Sequence, residues 1–133
     1  MQPPDPDARA WTAKAESDLV AACDLLRVHS TSCDVICFLC QQAGEKYLKA
    51  VMVALADVPP RTHDLAEVVR LLARRSPDFG QLSQDANALS PFAVELRYPG
   101  VGQAVSQAES QQAVAAACRI KAFCLEKLRP HAD

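Results

Sequence analysis

A polar stripe on one predicted helix is the first feature of this sequence that could do chemistry. Glu45 and Lys49 are four residues apart, a spacing that places a carboxylate and an ammonium side by side on a helix. Such a stripe is usually a solvated face, but two adjacent glutamines beside the charges could instead line a polar groove against another helix. The polar stripe consists of Gln41, Gln42, Glu45, Lys46 and Lys49.

The run Arg97-Tyr98-Pro99-Gly100 ends a segment in which apolar residues recur at helical spacing. One interpretation is structural, because an arginine at a helix end can bond the last carbonyls and a tyrosine before proline is held extended. The other is functional, because a guanidinium suits a phosphate and a tyrosine ring suits a base. On the functional interpretation this run forms an anion site, in which Arg97 binds phosphate or a partner's carboxylate and Tyr98 forms a wall.

His63 opens a predicted helix after Pro59 and Pro60. A helix start disfavours a protonated imidazole, and a neutral one can cap it, so we weigh capping against a ligand-binding role for His63. His29 and His131 stand alone in the sequence, with no second histidine at ligand spacing. We therefore predict no metal site and no cofactor.

Three cysteines, Cys33, Cys37 and Cys40, form a C-x3-C-x2-C run. This spacing matches the motif of radical SAM enzymes, in which a loop brings three thiolates to one iron–sulfur cluster. Here the run lies inside a helical pattern, and the chain is too short for the barrel of those enzymes, so buried free thiols are the simpler interpretation. We expect all six cysteines to be reduced and metal-free. Five of them are expected to lie on or near apolar faces, namely Cys23, Cys37, Cys40, Cys118 and Cys124.

Composition restricts the function classes further. The chain has 133 residues, a net charge of -2 and 5% aromatic residues. This length suits one domain, the charge provides no general field for duplex DNA, and the alanine- and leucine-rich content favours helices. No G-x-S-x-G motif or glycine-rich phosphate loop occurs. Without a bilayer-length apolar run or a signal-peptide pattern, we expect a cytoplasmic protein that does not act at a membrane.

Apolar residues recur at helical spacing in five segments, and none alternates with the period of a strand. The first helix is expected to follow Asp7 and to reach about Val28. The second spans roughly residues 33–56 and the third begins near His63 or Asp64.

The fourth helical segment is interrupted at Pro91, and Ser90 is expected to cap a second short helix there. The last helix opens with a capping box formed by Ser106 and Glu109. The sequence therefore predicts an all-α, up-and-down antiparallel bundle of four main helices plus a shorter fifth. We expect a single domain over residues 8–129 behind a flexible lead-in of residues 1–7.

Four motifs then carry a family resemblance: Trp11 with Asp18-Leu19, Phe38 followed by Q-Q-A-x-E-K-x-L-K-A within residues 37–50, His63-Asp64-Leu65, and Arg97-Tyr98-Pro99. From about Ala10 to Leu128 the chain resembles the HEPN domain family (higher eukaryotes and prokaryotes nucleotide-binding). The resemblance implies a bundle of four or five helices that is usually dimeric. It also implies a small nucleotidyltransferase as a partner.

Members of the family include nucleotide-binding modules and metal-independent ribonucleases, some of which are toxins of toxin–antitoxin pairs. The ribonucleases carry an arginine, four to six further residues, and then a histidine. After Arg97 those positions hold Gly102, Gln103 and Ala104, so the expected general acid or base is absent there.

The family resemblance and the missing histidine after Arg97 together leave three candidate functions. The first is a homodimeric module without catalysis that binds a nucleotide or another phosphate-containing ligand beside a nucleotidyltransferase, through Glu45, Lys46, Lys49, His63, Arg97 and Tyr98. The second is a ribonuclease with a rearranged site, in which His63 acts with Arg97 on RNA. The third is a helical dimerisation scaffold with no ligand.

Overall fold

A computed structural model of the chain describes residues 7–93 and 104–130. This part of the chain contains five α-helices and no β-strand, which confirms the predicted all-α fold class. Two short 3₁₀ helices, Pro77–Leu82 and Ser90–Phe92, flank the fourth α-helix. The α-helices are α1 (Ala8–Val28), α2 (Cys33–Ala54), α3 (Leu65–Arg75), α4 (Ser83–Leu89) and α5 (Gln107–Leu128).

Side-chain caps begin three of these helices. The Asp7 carboxylate accepts from the backbone N–H of Ala10 at 2.9 Å and so begins α1, as expected. Ser106 and Glu109 form the predicted capping box at the start of α5. At α3 the cap is Asp64, whose carboxylate accepts from the N–H of Ala66. The short polar residues at these positions satisfy N–H groups that the helix itself leaves unpaired.

The helix α2 ends two residues earlier than the sequence predicts, because the backbone turns at Ala56. This residue has a φ of 61°, the left-handed conformation that usually requires glycine. The N–H of Ala56 bonds the carbonyl of Val53, and the N–H of Asp57 bonds that of Met52. These two bonds are the Schellman arrangement, which satisfies carbonyls at the end of the helix.

The expectation that Ser90 caps a second short helix is wrong. Its backbone is helical, and its hydroxyl makes no cap bond to the residues that follow. Instead the hydroxyl donates to the carbonyl of Ala86 and accepts from the N–H of Leu65, the first residue of α3. Ser90 therefore ties the end of α4 to the start of α3, and Pro91 continues the chain into a single 3₁₀ turn.

The bundle is built around α2, which packs on α1 and α5. Asp18 of α1 pairs with Lys46 of α2 and Trp11 lies beside Lys49, so residue numbers fall along α1 as they rise along α2. These two helices are therefore antiparallel. No described helix is both long and apolar enough to cross a membrane.

Gly44 lies in the middle of α2 at a close approach between helices. A Cβ at this position would come within 3.3 Å of the side chains of Ile120 and Leu89 and within 3.5 Å of Leu65. The glycine thus allows α3, α4 and α5 to pack against the same turn of α2.

Replacing Gly44 with leucine should therefore destabilise the protein by about 1–3 kcal/mol, because the added side chain overpacks a filled core. Urea unfolding measures this change. Gly80→Leu is the matched control, since a Cβ at Gly80 would meet nothing within 4 Å. Equal losses of stability in the two variants would contradict the close packing at Gly44.

Candidate functional site

Four residues, three of them buried, form a polar cluster between α2 and the segment that precedes α3. Glu45 accepts from Gln41 Nε2 at 3.2 Å and from Lys49 Nζ at 3.0 Å, and it lies 2.8 Å from Nδ1 of His63. Gln41 Nε2 also donates to the backbone carbonyl of His63 at 3.1 Å. Gln41, Glu45, Lys49 and His63, called the polar cluster below, thus bind one another directly.

The helical repeat of α2 explains how three of these side chains come together. Gln41, Glu45 and Lys49 follow one another at four-residue intervals and share one face. That face is buried rather than solvated, with relative exposures of 0% for Gln41, 4% for Glu45 and 7% for Lys49. The interpretation as a solvated face is therefore wrong for these three residues.

His63 reaches the polar cluster from the segment that connects α2 to α3. It does not cap α3, because Asp64 provides the cap and the imidazole instead faces Glu45. Its side chain is 64% exposed, whereas the Glu45 side chain is 6% exposed. Since Nδ1 faces the carboxylate, Nε2 is the ring nitrogen that a ligand can reach.

Electrostatics favour an ionised Glu45. Burial alone would raise the pKa of this carboxyl group, but hydrogen bonds from His63, Lys49 and Gln41 outweigh that cost and lower the pKa below its ordinary value. A buried carboxylate with three donors carries a charge that the surrounding side chains compensate. The polar cluster therefore holds a fixed anion beneath an exposed imidazole.

Lys46 belongs to a different contact. Its ammonium pairs with Asp18 of α1 rather than with Glu45, so the predicted Glu45–Lys46–Lys49 group is divided between two sides of α2. One residue further along, the Tyr47 hydroxyl donates to Glu16 of α1. The same Glu16 lies 2.7 Å from Lys121 of α5, which links the three long helices.

Arg97 and Tyr98 lie outside the described residues, so the predicted anion site around them stays a prediction. Of the six site residues predicted from sequence, the structure brings Glu45, Lys49 and His63 together. Gln41 was part of the polar stripe but not of that predicted set, although its spacing of four residues from Glu45 already indicated a shared face.

Trp11 is a second neighbour that the predicted site omitted. Lys49 Nζ lies 5.9 Å from the centroid of the Trp11 ring, which is within the range of a cation–π contact. Trp11 precedes Ala15 and Leu19 at intervals of four residues, a spacing that places the three on one face of α1. Ala15 and Leu19 are indeed buried, but Trp11 is only partly so.

The cysteine run lies within α2, as its helical pattern indicated. Cys33, Cys37 and Cys40 are buried and unpaired, and burial raises the pKa of the Cys37 thiol to about 12. A thiol that stays protonated is a poor metal ligand. Cys23 and Cys118, which were expected on or near apolar faces, are exposed. Within the described ranges, no group of three histidine, cysteine or acidic residues is arranged to hold a metal.

Replacing Glu45 with glutamine should cost about 3 kcal/mol of stability at pH 7, because Lys49 would stay buried without its counter-charge. The pKa of Glu45 is lowered in the folded state, so its contribution is complete above the unfolded value of about 4.3 and is lost as the pH falls through the folded value. The difference between wild type and Glu45→Gln should therefore shrink in acid.

Urea unfolding between pH 7 and pH 3 measures this difference. Glu126→Gln is the matched control, because Glu126 pairs with Arg129 where both side chains are exposed, and an exposed pair contributes little. A difference at Glu45 that stays constant with pH would contradict the ionised state assigned to this residue.

Comparison with known proteins agrees with this architecture. The structure of TT1696 from Thermus thermophilus matches with a TM-score of 0.76 and 28% identity over 90% of this chain and 97% of that one. The archaeal HEPN homologue ST0689 matches with a TM-score of 0.74 and 22% identity over 94% of this chain and 100% of that one. No functionally curated protein gives a significant match. The HEPN domain profile covers residues 8–128, and the chain therefore belongs to the HEPN domain family.

Proposed function

We propose that this chain is a nucleotide-binding HEPN module that acts as a homodimer beside a nucleotidyltransferase and has no catalysis of its own. Its ligand carries a phosphate group. The observation that supports this most directly is the contact between buried Glu45 and exposed His63, in which Oε1 of the carboxylate lies 2.8 Å from Nδ1 of the imidazole.

The cost of burying charge supports a functional role for the polar cluster. Glu45 and Lys49 are both removed from water, and well-packed apolar residues of similar size often give equal or greater stability than such a pair. Stability alone is thus a weak reason to place an ion pair here. An ion pair that orients an exposed imidazole has a further use, because residues with perturbed pKa values beside reachable groups are typical of functional sites.

The imidazole of His63 suits a phosphate ligand. When Nδ1–H donates to Glu45, Nε2 is the ring nitrogen left for a ligand, and an imidazolium ring donates from both nitrogens. A phosphate oxygen is a strong acceptor for such a donor. The guanidinium of Arg97 and the ring of Tyr98 are the further ligand contacts in this proposal.

The sequence after Arg97 supports a module without catalysis. Gly102, Gln103 and Ala104 occupy the positions at which ribonucleases of the family carry a histidine. None of these three side chains can transfer a proton near neutral pH, so the usual general acid or base of that reaction is absent from its usual place.

Removing the proposed phosphate contacts should weaken nucleotide binding without unfolding the protein. Arg97→Ala should reduce the affinity for ATP about ten- to a hundredfold, since a charge-assisted hydrogen bond contributes roughly 1.5–3 kcal/mol. We expect a loss in the same direction for His63→Ala. Isothermal titration calorimetry with ATP, and with a purified nucleotidyltransferase from the same source, measures both effects.

Two exposed residues of the same types provide controls: Arg70→Ala on α3 and His29→Ala after α1 should both bind like wild type. Wild-type affinity in folded Arg97→Ala would remove that residue from the site. If wild type binds neither ATP nor inorganic phosphate nor the nucleotidyltransferase, the proposal fails and the dimerisation scaffold becomes the better account.

A metal-independent ribonuclease is the second candidate, and the Glu45–His63 contact favours it. A carboxylate at Nδ1 orients an imidazole so that Nε2 can act as a general base or acid, here with Arg97 beside the phosphate. The histidine would then come from the segment before α3 rather than from the position after Arg97.

Incubation of wild type with RNA in EDTA separates the two candidates. The proposed module should leave the RNA intact over hours. RNA cleavage by wild type that is lost in both Arg97→Ala and His63→Ala, and retained in His29→Ala, would contradict the module and establish the ribonuclease.

A further inference from the structure

The position of Trp11 is unusual for the largest apolar side chain in the protein. It lies in the first turn of α1, one helical turn before Ala15 and two before Leu19. Those two residues are 0% and 3% exposed and belong to the core. Trp11 is only partly buried and is not part of that core, although it shares their helix face.

The indole contacts the polar cluster instead. Lys49 Nζ lies 5.9 Å from its centroid, and the same ammonium bonds Glu45, which in turn contacts His63. A continuous chain of contacts therefore runs from an aromatic ring on α1 to the exposed imidazole before α3. Aromatic surface at one end and a phosphate-binding group at the other match the two ends of a nucleotide.

We propose that Trp11 is the base-stacking residue of this site, so that a nucleobase stacks on the exposed part of the indole while the phosphate group binds at His63. This inference rests on the nucleotide-binding function proposed above. Every nucleobase has a face that stacks on an aromatic side chain. The site is thus selective for nucleotides over bare phosphate.

The chain contains a single tryptophan, so its intrinsic fluorescence reports on Trp11 alone. Titration with ATP should quench this emission, whereas inorganic phosphate and pyrophosphate should leave it unchanged. N-acetyltryptophanamide under the same conditions corrects for absorption by the nucleotide. Calorimetry on the same samples measures binding independently of the indole.

Substitution then tests the stacking contact. Trp11→Leu should bind ATP about five- to a hundredfold more weakly, because base–aromatic stacking is lost. Trp11→Phe should recover most of the affinity, and pyrophosphate binding should be equal in wild type and both variants. Circular dichroism checks the fold of each variant. If Trp11→Leu does not fold, the quenching of wild-type fluorescence by ATP and the affinity of Trp11→Phe for ATP test the stacking contact instead.

The outcomes separate this inference from the function on which it rests. Binding of ATP without quenching, or with wild-type affinity in Trp11→Leu, would overturn the role of Trp11 and leave the nucleotide-binding module intact. Equal loss of ATP and pyrophosphate binding in Trp11→Leu would also overturn it, because Trp11 would then maintain the structure of the whole site and would not stack on the base. No binding of ATP or phosphate by wild type would overturn both.

Discussion

The buried carboxylate of Glu45 constrains the structure around it more than any other group. An ionised carboxylate at 4% exposure needs donors on every side, and it takes them from α2 itself and from the segment before α3. Gln41 connects these sources, since its amide bonds both Glu45 and the backbone carbonyl of His63. The start of α3 is therefore fixed to α2 by polar bonds, and apolar packing fills the space beside them.

Small side chains line the contacts between α2 and the two other long helices. Ala15 and Ala22 of α1, Ala43 of α2 and Ala117 of α5 are nearly inaccessible, and such small side chains allow helices to approach closely. Polar residues of α2 that lie beside these contacts form ion pairs, either with a neighbouring helix or within α2. Lys46 pairs with α1 in this way, while Glu45 and Lys49 pair within α2.

Local sequence signals were sufficient for most of the fold and for part of the site. Helical spacing and the caps Asp7 and Ser106 predict the long helices, because both act within a few residues of the chain. Spacing also places Glu45 and Lys49 on one face, but it cannot give the depth of that face, which depends on residues distant in sequence such as His63. The bond from Leu65 to Ser90 was missed for the same reason, since it joins residues 25 positions apart. The left-handed Ala56 was missed for a different reason, because that conformation is rare for a residue other than glycine.

Glu45 and His63 differ strongly in solvent exposure, and this difference suits them to different roles in the proposed site. Glu45 is enclosed, so its part in the proposed site is to set the orientation and charge environment of His63. His63 is mostly exposed, and its contact to Glu45 fixes the ring without covering it. A surface histidine normally samples several rotamers, and holding one in place before a ligand arrives removes part of the entropic cost of binding. In the proposed module, the Glu45–Lys49 pair within α2 therefore acts at the surface by orienting His63, the most exposed member of the polar cluster.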